Sequence, residues 1–180
     1  MKIIFISPFN PLWSDQLSEL AVLLDASVMS IGDLLRDEVK KESALGIEIK
    51  CALQSGDIID ADLSSRLVVE RFFLEPGDSI LKGFPINKSQ ADALSGHIKA
   101  KKQSLDAIVV VDINKEQLTD VLVSNSYDLT NDKVSYLIDS FYKEKTGVLA
   151  AAQALAKALG SKYISFLSPL DAKGQLNENV

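Results

Sequence analysis

Five short runs along the chain are dense in apolar and β-branched residues: KIIFIS near the start, then ASVMS, SILKG, DAIVVVDI and KYISFL. Several are continuously apolar where a half-exposed strand would alternate, the pattern of strands buried on both faces of a sheet. Between them apolar residues recur at helical spacing. Leu17, Leu20, Ala21 and Leu24 share one face of a helix that Asn10 would cap and Pro11 would open. Ser30 with Asp33 has the spacing of a capping box, with Asp standing for the usual Glu or Gln, and starts a helix through DLLRDEVKK. Asn87 with Gln90 and Asn114 with Gln117 mark two more starts, and Gly56 a stop. Asp132 to Leu159 reads as a helical run, alanine-rich after Gly147, which suits close packing on a sheet ahead of a dimer seam. The order β-α-β-α-α-β-α-β-α-β predicts an α/β fold, a parallel sheet with helices on both faces. The polar tail, residues 168–180, is expected to fray.

Composition narrows the partners. A chain of 180 residues, 47% of them hydrophobic, supports one core of ordinary size and predicts a single domain over 1–180. A formal charge of -6 and a pI near 4.8 argue against nucleic acid or an anionic membrane as the main partner. The one cysteine, Cys51, sits in the apolar context IEIKCAL, so an internal disulfide is excluded and a buried, inert thiol is expected. Ile3 to Ile6 is too short for a signal-peptide core or a spanning helix, and a cytoplasmic protein is expected.

Candidate chemistry centres on SPFNPLWSDQ, directly after the first apolar run. A strand running into a short loop and then a helix is the frame of a phosphate cradle, built from convergent backbone N–H groups that glycine lets turn inward. Here Pro8 and Pro11 each remove an N–H and fix φ, and Asp15 places negative charge in the first helical turn, where phosphate would otherwise be drawn. Asp15 reads as a partner of the helix dipole ahead of a magnesium ligand. Trp13 reads as a plug filling space by packing. Forked guanidinium groups are scarce: the chain has only Arg36, Arg66 and Arg71. Lys143 and Lys145 stand among acids and read as a solvated helix face. His97, the only histidine, shows no Cys, Asp or Ser partner in sequence and reads as solvent-facing, while Phe72, Phe73, Phe141 and Tyr142 read as core.

Four stretches in order, MSIGDLLRDEV, LQSGDIIDADL, KGFPINKSQADAL and DAIVVVDINKEQL, resemble the adenylate kinase and nucleoside monophosphate kinase family from Met1 to about Leu122. The resemblance implies a three-layer P-loop-kinase-like fold, a five-stranded parallel sheet in order 2-3-1-4-5 and a helical monophosphate-binding segment over about 30–75. It also implies a monophosphate site at Gly32, Arg36, Ile58, Ile59, Gly83 and Gln90, with Arg36 on the α-phosphate and Gln90 at the base edge. Gly32, Ile58, Ile59 and Gly83 match positions that line the pocket through backbone or apolar contact. The alternative is Arg36 as a surface helix residue paired with Asp33 or Glu38, and Gln90 completing a helix cap.

The departures from the family are concentrated on the triphosphate side and reach the monophosphate side at Ile31 and Ile86. Its glycine-rich loop corresponds here to Ser7, Pro8, Phe9, Asn10, Pro11, Leu12, Trp13, Ser14 and Asp15, with Trp13 at the lysine position. The arginine after GFP is Ile86, the acid before that glycine is Lys82, and the threonine before GD is Ile31. The arginines after the fourth strand are replaced around Val121 and Asn125, and the lid is reduced to a vestige at about 125–131. Three readings follow: a degenerate kinase homologue without efficient transfer that holds AMP or a similar monophosphate, with no catalytic residue and no metal; an atypical active kinase using ATP and Mg²⁺, completed by a partner chain or by lysines; or an interaction protein, with a protein partner or a homodimer and an empty pocket.

Overall fold

The structure, a computed structural model, describes residues 1–7, 13–54, 59–124 and 131–167. Its sheet has five strands, β1 (Lys2–Ile6), β2 (Ser27–Ser30), β3 (Ser79–Lys82), β4 (Ala107–Asp112) and β5 (Lys162–Leu167), in order β2-β3-β1-β4-β5. Every pairing is parallel: Lys2–Phe5 runs beside Ser79–Lys82, and Ile3–Ile6 beside Ala107–Val110. The helices are α1 (Ser14–Leu23), α2 (Ile31–Lys40), α3 (Ala44–Gln54), α4 (Ala61–Val68), α5 (Lys88–Ala100), α6 (Lys115–Ser124) and α7 (Asn131–Leu159).

Two apolar layers sandwich the sheet, and alternation along β1 assigns its side chains between them. Ile3 and Phe5 join Trp13, Leu17, Ala21, Leu118 and Ile138 on one face. Ile4 and Ile6 join Phe72, Leu94, Ile98, Val148 and Leu155 on the other. The alanines of α7 do the ordinary packing expected of them, with Ala151, Ala152 and Ala156 all buried and α7 lying against α5. No helix among the described residues is long and apolar enough to cross a membrane.

Several local expectations are altered. The segment between β2 and β3 holds three helices where two are predicted, because Asp60 caps α4 by accepting from the Leu63 N–H at 2.7 Å. Between β4 and β5 the start read at Asn114 and Gln117 opens α6, and the helical run read from Asp132 to Leu159 is α7. The Ser30 capping box forms only its first arm: Ser30 Oγ accepts from Asp33 N at 3.1 Å, but the short Asp33 side chain meets the hydroxyl and not the Ser30 N–H. Asn114 and Gln117 make both arms. Cys51 is exposed, correcting the expectation of a buried thiol: α3 buries Leu45, Gly46 and Ile49, and Cys51 lies two residues past Ile49, on the opposite side. Asn10, Pro11, Gly56, residues 125–130, where a vestigial lid is expected, and the tail 168–180 lie outside the described residues, as does the side chain of Phe141.

One buried charge ties the helical segment together. Glu38 on α2 is 1% exposed and takes a forked bond from Arg71, Nε to Oε2 at 2.5 Å and Nη2 to Oε1 at 2.9 Å. Arg71 sits in a π-helical turn, Val69–Phe73, that continues α4; the widened turn buries Phe72 and Phe73 together, edge to face at 5.0 Å. The Arg71 fork holds the Glu38 carboxyl below the usual glutamate range, against the opposing effect of burial and with help from the Ser43 hydroxyl. Arg71→Met leaves that carboxylate buried and unpaired, so a loss of about 3–5 kcal/mol is expected in urea unfolding, largely recovered by adding Glu38→Leu. A depressed folded-state pKa means that the stabilisation is complete above the unfolded value of about 4.3 and is lost as pH falls through the folded value. The urea midpoints of wild type and Glu38→Gln should therefore converge in acid.

Candidate functional site

Parallel pairing puts the carboxyl ends of β2, β3, β1 and β4 along one edge, the edge at which open α/β sheets bind ligands. Ser30 and Lys82 are register partners, as are Phe5 and Lys82, so the N-terminus of α2, the turn after β3 and the start of the first loop are neighbours.

On the first-loop side, Ser7 is half-buried, Asp15 is exposed in the first turn of α1, and Pro8, Asn10 and Pro11 lie outside the described residues. Trp13 occupies the cap position ahead of Ser14 and is 1% exposed, its indole packed in the layer with Phe5, Leu17, Ile80, Val111 and Ile113. A side chain so placed is core. Beyond the loop, β4 ends on Asp112, which pairs with Lys145 at 2.7 Å. Lys145 is 17% exposed, donates to the Ile113 carbonyl at 2.8 Å and lies over the Tyr142 ring. It therefore leaves the solvated face expected of it, while Lys143 remains exposed. Burial, with the Asp112 charge, pushes the Tyr142 hydroxyl up to about 12, so it stays protonated and donates to the Ile113 carbonyl at 2.6 Å. The side chain of Val121 and the whole of Asn125 fall outside the described residues.

Among the residues expected to hold a monophosphate, Arg36 is 66% exposed, bonds Asp33 at 2.5 Å and folds back over Gly32, where an added Cβ would stand 3.3 Å from its Nη1. The Ser30 hydroxyl, Arg36 and Lys82 together hold the Asp33 carboxyl below the usual range. Gly83 takes φ +80° before the cis bond between Phe84 and Pro85, a backbone that only glycine adopts freely. Gln90, nearly buried in the first turn of α5, has its N–H on Asn87 Oδ1 at 2.9 Å and its Oε1 on the Ile86 N–H at 2.9 Å, so its side chain serves the cap. Ile59 packs against the buried cluster of Leu45, Ile49, Leu63 and Leu67, and Ile58 lies outside the described residues. The fold thus gathers Gly32, Arg36, Gly83 and Gln90 at the ends of the adjacent strands β2 and β3.

All three arginines are paired with carboxylates of the same helical segment: Arg36 with Asp33, Arg66 with Glu48 at 3.0 Å and Arg71 with Glu38. His97 is half-buried and meets Asp62 of α4 at 2.8 Å, correcting the expectation of a solvent-facing ring without a partner. That pairing spans 35 residues, and no local spacing announces it. Lys145 with Asp112 was hidden for the same reason, although an acid ending an apolar strand was a usable signal. Among the described residues no group of three or more His, Cys, Asp or Glu side chains could hold a metal ion. Trp13→Ala should cost about 3–5 kcal/mol, the range for truncating a buried aromatic, measured as a drop in the urea midpoint at unchanged slope.

The model of the family described as adenylate kinase matches residues 15–158. An adenylate kinase of Mycobacterium sp. (strain MCS) is 28% identical over 180 residues, covering 99% of this chain and 94% of its own length. One of Mycolicibacterium vanbaalenii is 29% identical with the same coverage. One of Synechococcus sp. (strain RCC307) is 29% identical over 148 residues, 82% of this chain and 81% of the relative. With the five-stranded order and the strand-edge site already in place, these matches make the chain a member of the adenylate kinase family.

Proposed function

We propose that the protein is a divergent adenylate kinase homologue that holds a nucleoside monophosphate, AMP or a close relative, and does not carry out efficient phosphoryl transfer. The observation that carries this reading is the buried indole of Trp13 at the position of the family's loop lysine. Phosphoryl transfer rests on positioning and on charge stabilisation by lysine, magnesium and guanidinium groups, and their losses compound because they act as a unit. Here the loop cation is an apolar side chain, the strand-end acid is Lys82, and Arg66 and Arg71 are engaged with Glu48 and Glu38 within the helical segment. The described residues therefore do not fit a magnesium–triphosphate group. In this reading residues 1–180 form one cytoplasmic domain, the segment of about 30–75 carries the monophosphate site, and 125–131 is a vestigial lid.

The surviving half is the site of Gly32, Arg36, Ile58, Ile59, Gly83 and Gln90. Arg36 is exposed and tied only to Asp33, so its guanidinium can turn to a phosphate at small cost. Ile86 is exposed and offers no second fork, which keeps affinity weak. Near-full-length matches to adenylate kinases favour an active nucleotide kinase as the second reading.

Titration separates the readings: AMP alone binds in the proposed one, ATP with Mg²⁺ and AMP both bind in an active kinase, and neither binds in an interaction protein. A coupled assay with AMP and ATP should give no turnover approaching the enzymatic median of about 10 per second, and a rate of that size would establish the second reading. AMP at a hundred times its dissociation constant adds about 2.7 kcal/mol of stability, so the melting temperature should rise by several degrees. Arg36→Ala should abolish the rise and leave the unliganded melting point nearly unchanged.

A further inference from the structure

The outer edge of β2 lies open along a groove that none of Gly32, Arg36, Gly83 and Gln90 lines. β2 ends the strand order, so among the described residues only β3 pairs with it. Ser27 donates its N–H to the Asp78 carbonyl, and that bond fixes the parity of the ladder. Ser27 and Met29 turn their backbone groups to β3, while Val28 and Ser30 turn theirs outward. Val28 is 37% exposed. The Ser30 N–H is the donor that the Asp33 side chain does not reach, because that carboxylate meets the Ser30 hydroxyl instead. Neither amide has a partner among the described residues. Strand edges are ordinarily blunted by lysine, proline, a bulge or a covering element. The sequence SVMS carries no charge and no proline, and its register against Ser79–Lys82 runs without a bulge.

The groove has a volume of about 360 Å³ and lies between β2, one stripe of α2 and the π-helical turn. Val28 and Met29 form part of its apolar floor, and four carboxylates line it against two cations, Lys41 and Arg71. Glu38 is taken by Arg71. Asp33 and Asp37 hold Arg36 and Lys40 in exposed pairs that an arriving cation can replace at small cost. Lys2 reaches only the Glu75 carbonyl, so the Glu75 carboxylate has no hydrogen-bond or ion-pair partner among the described residues. A second copy paired at this edge would set the same acidic rim against itself. Charge therefore opposes self-pairing and favours a basic partner.

We propose that β2 accepts an extended, lysine- or arginine-rich polypeptide segment as an additional strand. Val28 exchanges N–H and C=O bonds with that segment, the Ser30 N–H donates to a further carbonyl of it, and its alternate side chains carry their cations over Asp37 and Glu75. The inference stands apart from the monophosphate reading and does not rest on it.

The probe is a blocked, fluorescently labelled peptide of about seven residues, a strand's length, alternating lysine and threonine. Its controls are the same peptide with glutamate for lysine, and two forms N-methylated at one or the other alternate set of amides. Fluorescence anisotropy with the full chain reads affinity, and amide exchange followed by NMR reads the Val28 and Ser30 N–H groups. The expected result is saturable binding of the lysine peptide that slows exchange at both amides, and no binding of the glutamate peptide. One N-methylated form should lose about tenfold or more in affinity while the other binds as the parent does, and Asp37→Lys with Glu75→Lys should cost a similar factor. Both positions are exposed, and circular-dichroism melting checks that the double variant folds. Binding that leaves exchange at Val28 and Ser30 unchanged, equal binding of the two N-methylated forms, or no binding by wild type at millimolar peptide overturns the inference. Sedimentation showing a dimer whose contact protects the same two amides assigns the edge to a second copy and overturns it as well.

Discussion

The constraint on which the rest depends is that β1 is paired in parallel on both sides and covered on both faces. A strand so enclosed must be apolar throughout, as KIIFI is apart from its first residue, and its neighbours must cross over through helices to return in the same direction. Four strand ends then arrive at one edge together, so residues far apart in the chain, Ser7, Ser30, Lys82 and Asp112, become neighbours or near neighbours. The site is a by-product of the pairing. Side chains placed there can differ in chemistry while the continuous apolar run of β1 continues to specify the sheet.

Charge at that edge is allocated in an instructive way. Guanidinium groups have been drawn into the helical segment as structural cross-links: Arg71 holds a buried glutamate, and Arg66 bridges α4 to α3. A buried pair of this kind is weak as a source of net stability but strongly opposed to removal of either partner, so it favours one arrangement of α2, α3 and α4 over others. Lys145 does the same for α7 and the end of β4.

Much of this was legible in the sequence and some was not, for physical reasons. The central strands β1, β3 and β4 announced themselves because burial on both faces leaves little polar alternation to confuse the reading, whereas the more exposed edge strands β2 and β5 were read from their apolar and β-branched residues; Asn114 with Gln117 could be read because both arms of the box are local. The helix at Ala61 was missed because its cap, Asp60, stands in a run of acids beside glycine that reads equally well as a turn. Cys51 was misplaced because an apolar neighbourhood in sequence does not say which side of a helix a residue takes; the positions of Leu45 and Ile49 do. His97 with Asp62 and Lys145 with Asp112 depend on contacts across 35 and 33 residues, which no window of local pattern contains.

The long helix α7 has a mechanical consequence. Ile138 near its start belongs to the layer containing Trp13, while Val148, Ala152, Leu155 and Ala156 belong to the layer on the opposite side of the sheet. One continuous rod of 29 residues is thereby clamped in both layers, with Lys145 bolted to the strand end between its two anchorages. Neither layer can loosen without levering on the other. The protein behaves as a beam fixed at two supports, and its two cores share a single fate.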